Sequence, residues 1–180
     1  MRRNRFFVAA LVAVSFAAAQ QPPKIVKVPE VPYVPTDNQV VDGMLKLAGV
    51  KPTDLVYDLG CGDGRIVVRA AKDYGAHGVG VDINPDRIQE ARENAKRSNV
   101  ENLVRFEEGD LFDADIHQAT VVMLYLLPQV NVRLRPKLFN DLKPGTRVVS
   151  HSFDMGDWKP DKEEHIENAT IYLWTIPEKK

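Results

Sequence analysis

Between Asp37 and Ile176 the apolar positions fall into short blocks whose period switches between that of a helix and that of a strand. Val40, Val41, Met44, Leu45, Leu47 and Ala48 recur at helical spacing, with Gly49 as a C-terminal stop. Leu55–Leu59 is a short apolar run closed by glycines, which predicts a first strand. Ile66–Tyr74 predicts a helix with Val67, Ala70 and Ala71 on its inner side, and Gly78–Asp82 a second strand. Pro85 fits the first turn of a helix running to about Arg97, with Ile88, Ala91 and Ala95 facing inward. A third strand is expected from Val104 to Glu107 and a fourth from Thr120 to Leu126. A helix from Val130 to Leu142, stopped by Pro144-Gly145, then leads to a fifth strand over Arg147–Ser152. Strand alternating with helix predicts a doubly wound, mostly parallel α/β sheet covered on both faces. The tail breaks the rhythm: His165–Glu167 and Thr170–Ile176 read as two strands joined at Glu167-Asn168, a hairpin that places an antiparallel strand in the sheet.

The N-terminal part follows different rules. Met1 to Arg5 is basic, Phe6–Ala19 is an uncharged stretch of 14 residues, and Ala17-Ala18-Ala19 offers a small-residue cleavage site. That combination predicts a secretory signal peptide over residues 1–19, cleaved before Gln20, and hence an exported protein, periplasmic or secreted. The apolar stretch is short against the roughly 20 residues of a membrane-crossing helix. The alternative is an uncleaved anchor that holds the domain on the cytosolic side and associates with the membrane through the N-terminus. Residues 20–36 carry Pro22, Pro23, Pro29, Pro32 and Pro35, which suppress helix and favour extended backbone. This segment is expected to be a linker whose last part, Val31–Thr36, packs on the domain that spans residues 37–180.

Composition narrows the picture only a little. The 180 residues are 44% hydrophobic and 27% charged, with a formal net charge of −1, which suits one globular domain. Such a balance disfavours a duplex nucleic-acid partner, because phosphates call for a concentrated positive face. Cys61 is the only cysteine, so no intramolecular disulfide forms. Placed between two glycines without a nearby histidine, it reads as a small residue filling a tight loop rather than as a nucleophile. No metal site is expected.

The chemistry is concentrated after the first strand. In a doubly wound sheet ligands bind at the carboxyl ends of the strands, where the strand order reverses. That loop holds Gly60, Gly62 and Gly64, which let backbone turn sharply and approach a ligand closely. The dinucleotide fingerprint G-x-G-x-x-G fails, because Arg65 occupies its third glycine position, and no Lys-Ser or Lys-Thr completes a phosphate loop. What remains is an acid, Asp58, followed by G-x-G-x-G.

Asp58-Leu-Gly-Cys-Gly-Asp-Gly64 resembles the first motif of the class I S-adenosylmethionine (SAM)-dependent methyltransferases. The resemblance covers roughly residues 38–176 and implies their Rossmann-like fold of seven strands with a C-terminal antiparallel hairpin. It implies SAM as cofactor, with Asp82 on the ribose hydroxyls, Ile83 against the adenine face, and Asp110 and Leu111 at the adenine edge. Gly60, Gly62, Gly64 and Leu124 complete the implied cofactor set with Asp58. More narrowly, Tyr33-Val-Pro-Thr36, the Asp58–Ile66 segment and Val81-Asp-Ile-Asn-Pro85 are similar to the small protein-lysine methyltransferases, a group that includes the enzymes modifying the ATP synthase c-subunit. In that group Tyr33 and Thr36 would lie near the cofactor and the substrate entrance. Tyr33 also fits a surface-packed linker aromatic.

Methyl transfer from a sulfonium is an in-line displacement that chiefly requires positioning and exclusion of water. An acceptor lysine must first lose a proton, and an apolar channel lowers its pKa by desolvation. Leu124-Tyr-Leu-Leu-Pro128, after the fourth strand, is placed to form that channel and carries no Asn/Asp-Pro-Pro-Tyr signature. Tyr125 is the candidate to orient the amine, although a tyrosine capping the sheet fits the same position, and Tyr33 is the second catalytic candidate. His151 is a further polar candidate that fits a structural histidine equally well. The expected function is therefore transfer of a methyl group to a protein or small-molecule amine. The competing reading is a non-catalytic SAM-binding or interaction module of the envelope.

Overall fold

The computed structural model describes residues 30–178. The basic-apolar N-terminus and most of the proline-rich linker lie outside the described residues. Four helices and seven strands follow one another as α1 (Asn38–Ala48), β1 (Leu55–Leu59), α2 (Arg65–Tyr74), β2 (His77–Asp82), α3 (Pro85–Arg97) and β3 (Val104–Glu108). They continue with β4 (Val121–Leu124), α4 (Pro128–Asp141), β5 (Arg147–His151), β6 (Lys162–Ile166) and β7 (Ala169–Thr175). The seven strands form one sheet in the order β3-β2-β1-β4-β5-β7-β6.

The first five strands are parallel, and β7 runs antiparallel between β5 and β6, with Val149 opposite Leu173. The expected hairpin is thus present, and Glu167 at φ 53° makes its turn. Strand order reverses between β1 and β4, which pair in parallel from Val56–Val121 to Leu59–Leu124. This reversal opens a crevice above their carboxyl ends.

Period-two alternation feeds two separate cores. Within β4, Val121 and Met123 join the core beneath α1, α2 and α3, while Val122 and Leu124 join the core beneath α4. All four are fully buried, as befits a central strand covered on both faces. Asn84 caps α3 by accepting the Asp86 amide at 2.9 Å, with Pro85 next in the first turn. Gly49 ends α1 in the left-handed conformation, at φ 59°.

Several boundaries differ from the sequence pattern, β6 most of all, which runs from Lys162 to Ile166 where His165–Glu167 was expected. β4 ends at Leu124, not Leu126, because Tyr125 and Leu126 turn away from the ladder toward the crevice. α4 begins at Pro128, whose fixed φ suits a first helical turn. β5 ends at His151, since Ser152 adopts φ 63° and cannot continue the strand.

Candidate active site

The loop after β1 is built by its neighbours as much as by its own residues. The Gly60 and Cys61 amides both donate to the Val81 carbonyl, at 2.8 and 3.0 Å, so the loop hangs from the end of β2. Gly60, Gly62 and Gly64 all have positive φ, at 85°, 52° and 74°. A Cβ at Gly62 would lie 2.3 Å from the Tyr33 ring, so the glycine admits the aromatic lid that rests on it. A Cβ at Gly64 would instead meet Phe106 at 2.5 Å and Ala91 at 2.8 Å. Gly64 therefore serves the packing of α2 on α3 and β3 and does not line the crevice.

Asp82 links the β1 and β2 loops. One carboxylate oxygen accepts the Gly62 amide at 2.8 Å and the other accepts the Asn84 amide at 2.9 Å. Each oxygen keeps a second lone pair for a ligand hydroxyl. Asp63 and Arg65 form a bidentate pair at 2.9 and 2.8 Å, and Arg65 also donates to the Thr36 carbonyl at 2.8 Å. Burial would raise the Asp63 pKa, but the Arg65 hydrogen bonds and charge prevail and hold it below the ordinary value. The Asn94 amide of α3 fixes the Asp63 carbonyl from the other side, at 2.8 Å.

Residues 30–36 cross this loop as a strap. Arg65 holds it at Thr36, Tyr33 lies on Gly62 with the Arg87 guanidinium 4.5 Å from its ring centre, and Glu30 pairs with Arg133 of α4. Arg133 in turn sits 4.6 Å over Phe112. Val31–Thr36, the part of the linker expected to pack on the domain, forms one wall of the crevice.

Together these parts enclose a cavity of about 790 Å³, within the roughly 300–1,000 Å³ usual for small-molecule sites. Of the residues singled out from the sequence, Tyr33, Thr36, Asp58, Gly60, Gly62, Asp82, Ile83, Asp110, Leu111 and Tyr125 line it. Leu124, like Gly64, does not: it is fully buried in the core beneath α4. Sequence reasoning passed over Asp63, Arg65, Arg87, Phe112 and Phe153, which also line the cavity. Arg65 was visible only as the residue that broke a dinucleotide fingerprint, and Phe153 follows the end of β5 with no motif around it.

The donor set suits a cationic nucleoside. Asp58 is only 2% exposed and faces Asp82 and Asp63. Burial, then the charges of those two acids, push its pKa up to about 8. A ligand bearing positive charge would relieve that strain, and SAM carries both an ammonium and a sulfonium. Ile83, Leu111 and Phe112 offer apolar surface for a base, while the paired lone pairs of Asp82 suit a vicinal diol. The Cys61 thiol is buried, donates to the Gly62 carbonyl at 3.7 Å, and is pushed up by burial and by Asp58 and Asp82. A thiol so disfavoured as thiolate is no nucleophile, in line with its reading as a loop-filling residue.

Beyond β4 and β5 the wall becomes aromatic. The Tyr125 ring stacks on His151, centroids 3.8 Å apart, and lies near-parallel to Phe153 at 6.4 Å. Burial lowers the His151 pKa, against the pull of Asp37. Leu126, Leu127 and Val130 continue the apolar surface.

A seven-stranded sheet with an antiparallel β7, a glycine loop above β1 and an acid closing β2 define a SAM-dependent methyltransferase. Residues 58–162 match the family described as the ANTKMT methyltransferase domain, and the chain belongs to that family. It is 49% identical over 158 residues to a protein-lysine N-methyltransferase of Saccharolobus islandicus, covering 85% of this chain and 98% of that protein. It is 35% identical over 145 residues to the ATP synthase c-subunit lysine N-methyltransferase of Xenopus laevis, covering 80% of this chain and 62% of that longer protein. Among solved structures, an RNA methyltransferase from Salinibacter ruber in complex with S-adenosyl-L-homocysteine is 60% identical, with a TM-score of 0.80 over 82% of this chain and 96% of that one.

Proposed function

We propose that this enzyme methylates the side-chain amine of a protein lysine, with Tyr125 and Phe153 walling the acceptor channel. The observation that carries the reading is the aromatic and apolar surface beyond β4 and β5, where Tyr125, Phe153, Leu126 and Leu127 meet the cavity. A lysine inserted there loses solvation, which favours the neutral amine that the reaction needs. When bound, SAM supplies the methyl group: the lysine nitrogen lone pair forms the new N–C bond while the C–S bond breaks toward sulfur. The chain's own part is to hold that nitrogen in line, exclude water and let the amine proton leave to solvent before transfer. Asp82, Ile83, Asp110 and Leu111 are assigned to the nucleoside, Asp58 to the cationic end, and Gly60 and Gly62 to close backbone approach. The names of the archaeal and vertebrate relatives support a lysine acceptor.

The Salinibacter protein's description as an RNA methyltransferase favours a second acceptor, RNA. Cavity charge argues against it: the acids Asp63, Asp82 and Asp110 outnumber the basic lining residues Arg65 and Arg87, and no concentrated positive face lines the cavity to meet phosphates. Tritiated SAM incubated with the enzyme and with separate protein and RNA extracts decides between them. Protein labelling lost on protease digestion is expected. Label confined to the RNA would overturn the lysine reading, and SAM binding without any transfer would favour a non-catalytic module.

The N-terminal segment supports one more element of the proposal, export or anchoring through residues 1–19. Because SAM is made in the cytosol, the anchored arrangement with the domain on the cytosolic side reconciles segment and cofactor. A reporter active only in the cytosol, fused after Lys180, is expected to be active in membrane fractions; activity solely of a periplasmic reporter would favour export.

A further inference from the structure

We propose that His151 is a positioning residue for methyl transfer: it sets the Tyr125 ring and the Thr36 hydroxyl against each other behind the acceptor wall, without touching the cavity itself. The inference rests on the reading of Tyr125 as part of that wall.

The placement follows from register. Leu124 of β4 stands opposite Ser150 of β5, so Tyr125, the first residue beyond β4, comes beside His151, the last residue of β5, which is still paired with Ile171 of β7. Their rings stack at 3.8 Å with an interplanar angle of 28°. Tyr125, just beyond the last ladder pair, has no strand partner to fix its direction, and the imidazole face supplies one. The edge of the same ring meets the strap: His151 Nδ1 lies 3.3 Å from Thr36 Oγ1, both side chains buried. Thr36 is the strap's inner anchor, since its carbonyl accepts from Arg65 of the glycine loop. One imidazole therefore joins β4, β5 and the strap, while Tyr125 and Thr36 line the cavity and His151 does not.

Neither a phenyl nor an amide could do both tasks. Phenylalanine offers the face without the polar edge, and asparagine the edge without the face. A ring held at 3.8 Å in a close-packed setting leaves little play, and displacement of a reacting pair by about 1 Å costs up to 100-fold in rate.

The test compares the initial rate of tritium transfer from saturating SAM to a protein extract with the affinity for S-adenosylhomocysteine measured by calorimetry. His151→Leu keeps apolar volume without a ring. It is expected to slow transfer by about 10-fold or more while leaving the S-adenosylhomocysteine affinity within about 2-fold, a split that general loosening of the fold would not give. His151→Phe, which keeps the face against Tyr125, is expected to recover part of the rate, and His151→Asn, which keeps only a polar edge toward Thr36, less of it. Combined with Tyr125→Ala, His151→Leu should cost less than it does alone, because the ring contact is already gone and only the Thr36 contact remains to be lost. An unchanged rate in His151→Leu, or multiplying losses in the double variant, would overturn the proposal. If His151→Leu does not fold, the other pair decides: His151→Asn as fast as His151→Phe overturns it. Full activity in Tyr125→Ala would instead sink the acceptor-wall reading beneath it.

Discussion

Asp82 accepts the Gly62 amide at 2.8 Å, and with its second oxygen the Asn84 amide at 2.9 Å, so the proposed ribose ligand is also the clasp between two loops. A substitution there removes a contact to the ligand and slackens the surface on which the ligand lies.

Asp82→Ala is accordingly expected to weaken SAM binding by at least the 1.5–3 kcal/mol or so of a hydrogen bond to a charged group, a rise of about 10- to 150-fold in Kd. Asp82→Asn, which keeps one acceptor oxygen, should fall between wild type and Asp82→Ala. Calorimetric titration with S-adenosylhomocysteine measures both; wild-type affinity in Asp82→Ala would mean that another acid holds the nucleoside.

Asp58 gives a pH signature. Its pKa of about 8 in the folded chain stands above the ordinary 3.8, so between those values the folded state holds a proton that the unfolded state has lost. The Asp58 contribution therefore makes the ligand-free protein less stable as pH rises from about 4 to about 8, with no further change above that. Asp58→Asn removes this contribution, and its stability relative to wild type should grow across that window. Chemical denaturation at pH 5 and pH 9 tests it. The same variant should bind SAM more weakly at pH 9, where the wild-type carboxylate is ionised and faces the ligand's positive charge.

The two inner glycines of the loop should fail differently. Gly64→Ala forces a Cβ against Phe106 and Ala91 in the core, and overpacking plus a left-handed backbone cost together about 2–5 kcal/mol. Gly62→Ala meets only the Tyr33 ring, which is 45% exposed and can swing away, leaving about 1–2 kcal/mol for the backbone. Urea unfolding should rank Gly64→Ala as the less stable. Gly62→Ala should lose more cofactor affinity than its stability suggests, because it lifts the strap.

Arg65→Lys keeps the charge but not the fork that grips Asp63 twice and the Thr36 carbonyl once. The strap should loosen, and dissociation of SAM, followed by stopped-flow fluorescence, should quicken about 5- to 10-fold, the equivalent of one net hydrogen bond of about 1 kcal/mol. An unchanged off-rate would show that the strap is held elsewhere.

The sequence determined the element order, the period-two strands buried on both faces, the hairpin at the end and the glycine loop after β1. Those features are local: a repeat of apolar residues, a glycine, a proline or an adjacent acid is enough to produce them. The clasp role of Asp82, the strap over Gly62, the pair of Asp63 and Arg65 with Thr36, and the stack of Tyr125 on His151 join residues up to 115 positions apart in the chain. No spacing rule reaches across such distances. Leu124 shows the same limit from the other side: it belongs to a segment correctly placed near the crevice, yet strand alternation turns its side chain into the core. The glycine loop that first marked the site is therefore a property of the sequence alone. What rests on that loop, and which charges its acids meet, was decided only when the sheet brought β1, β2, β4 and β5 to one edge.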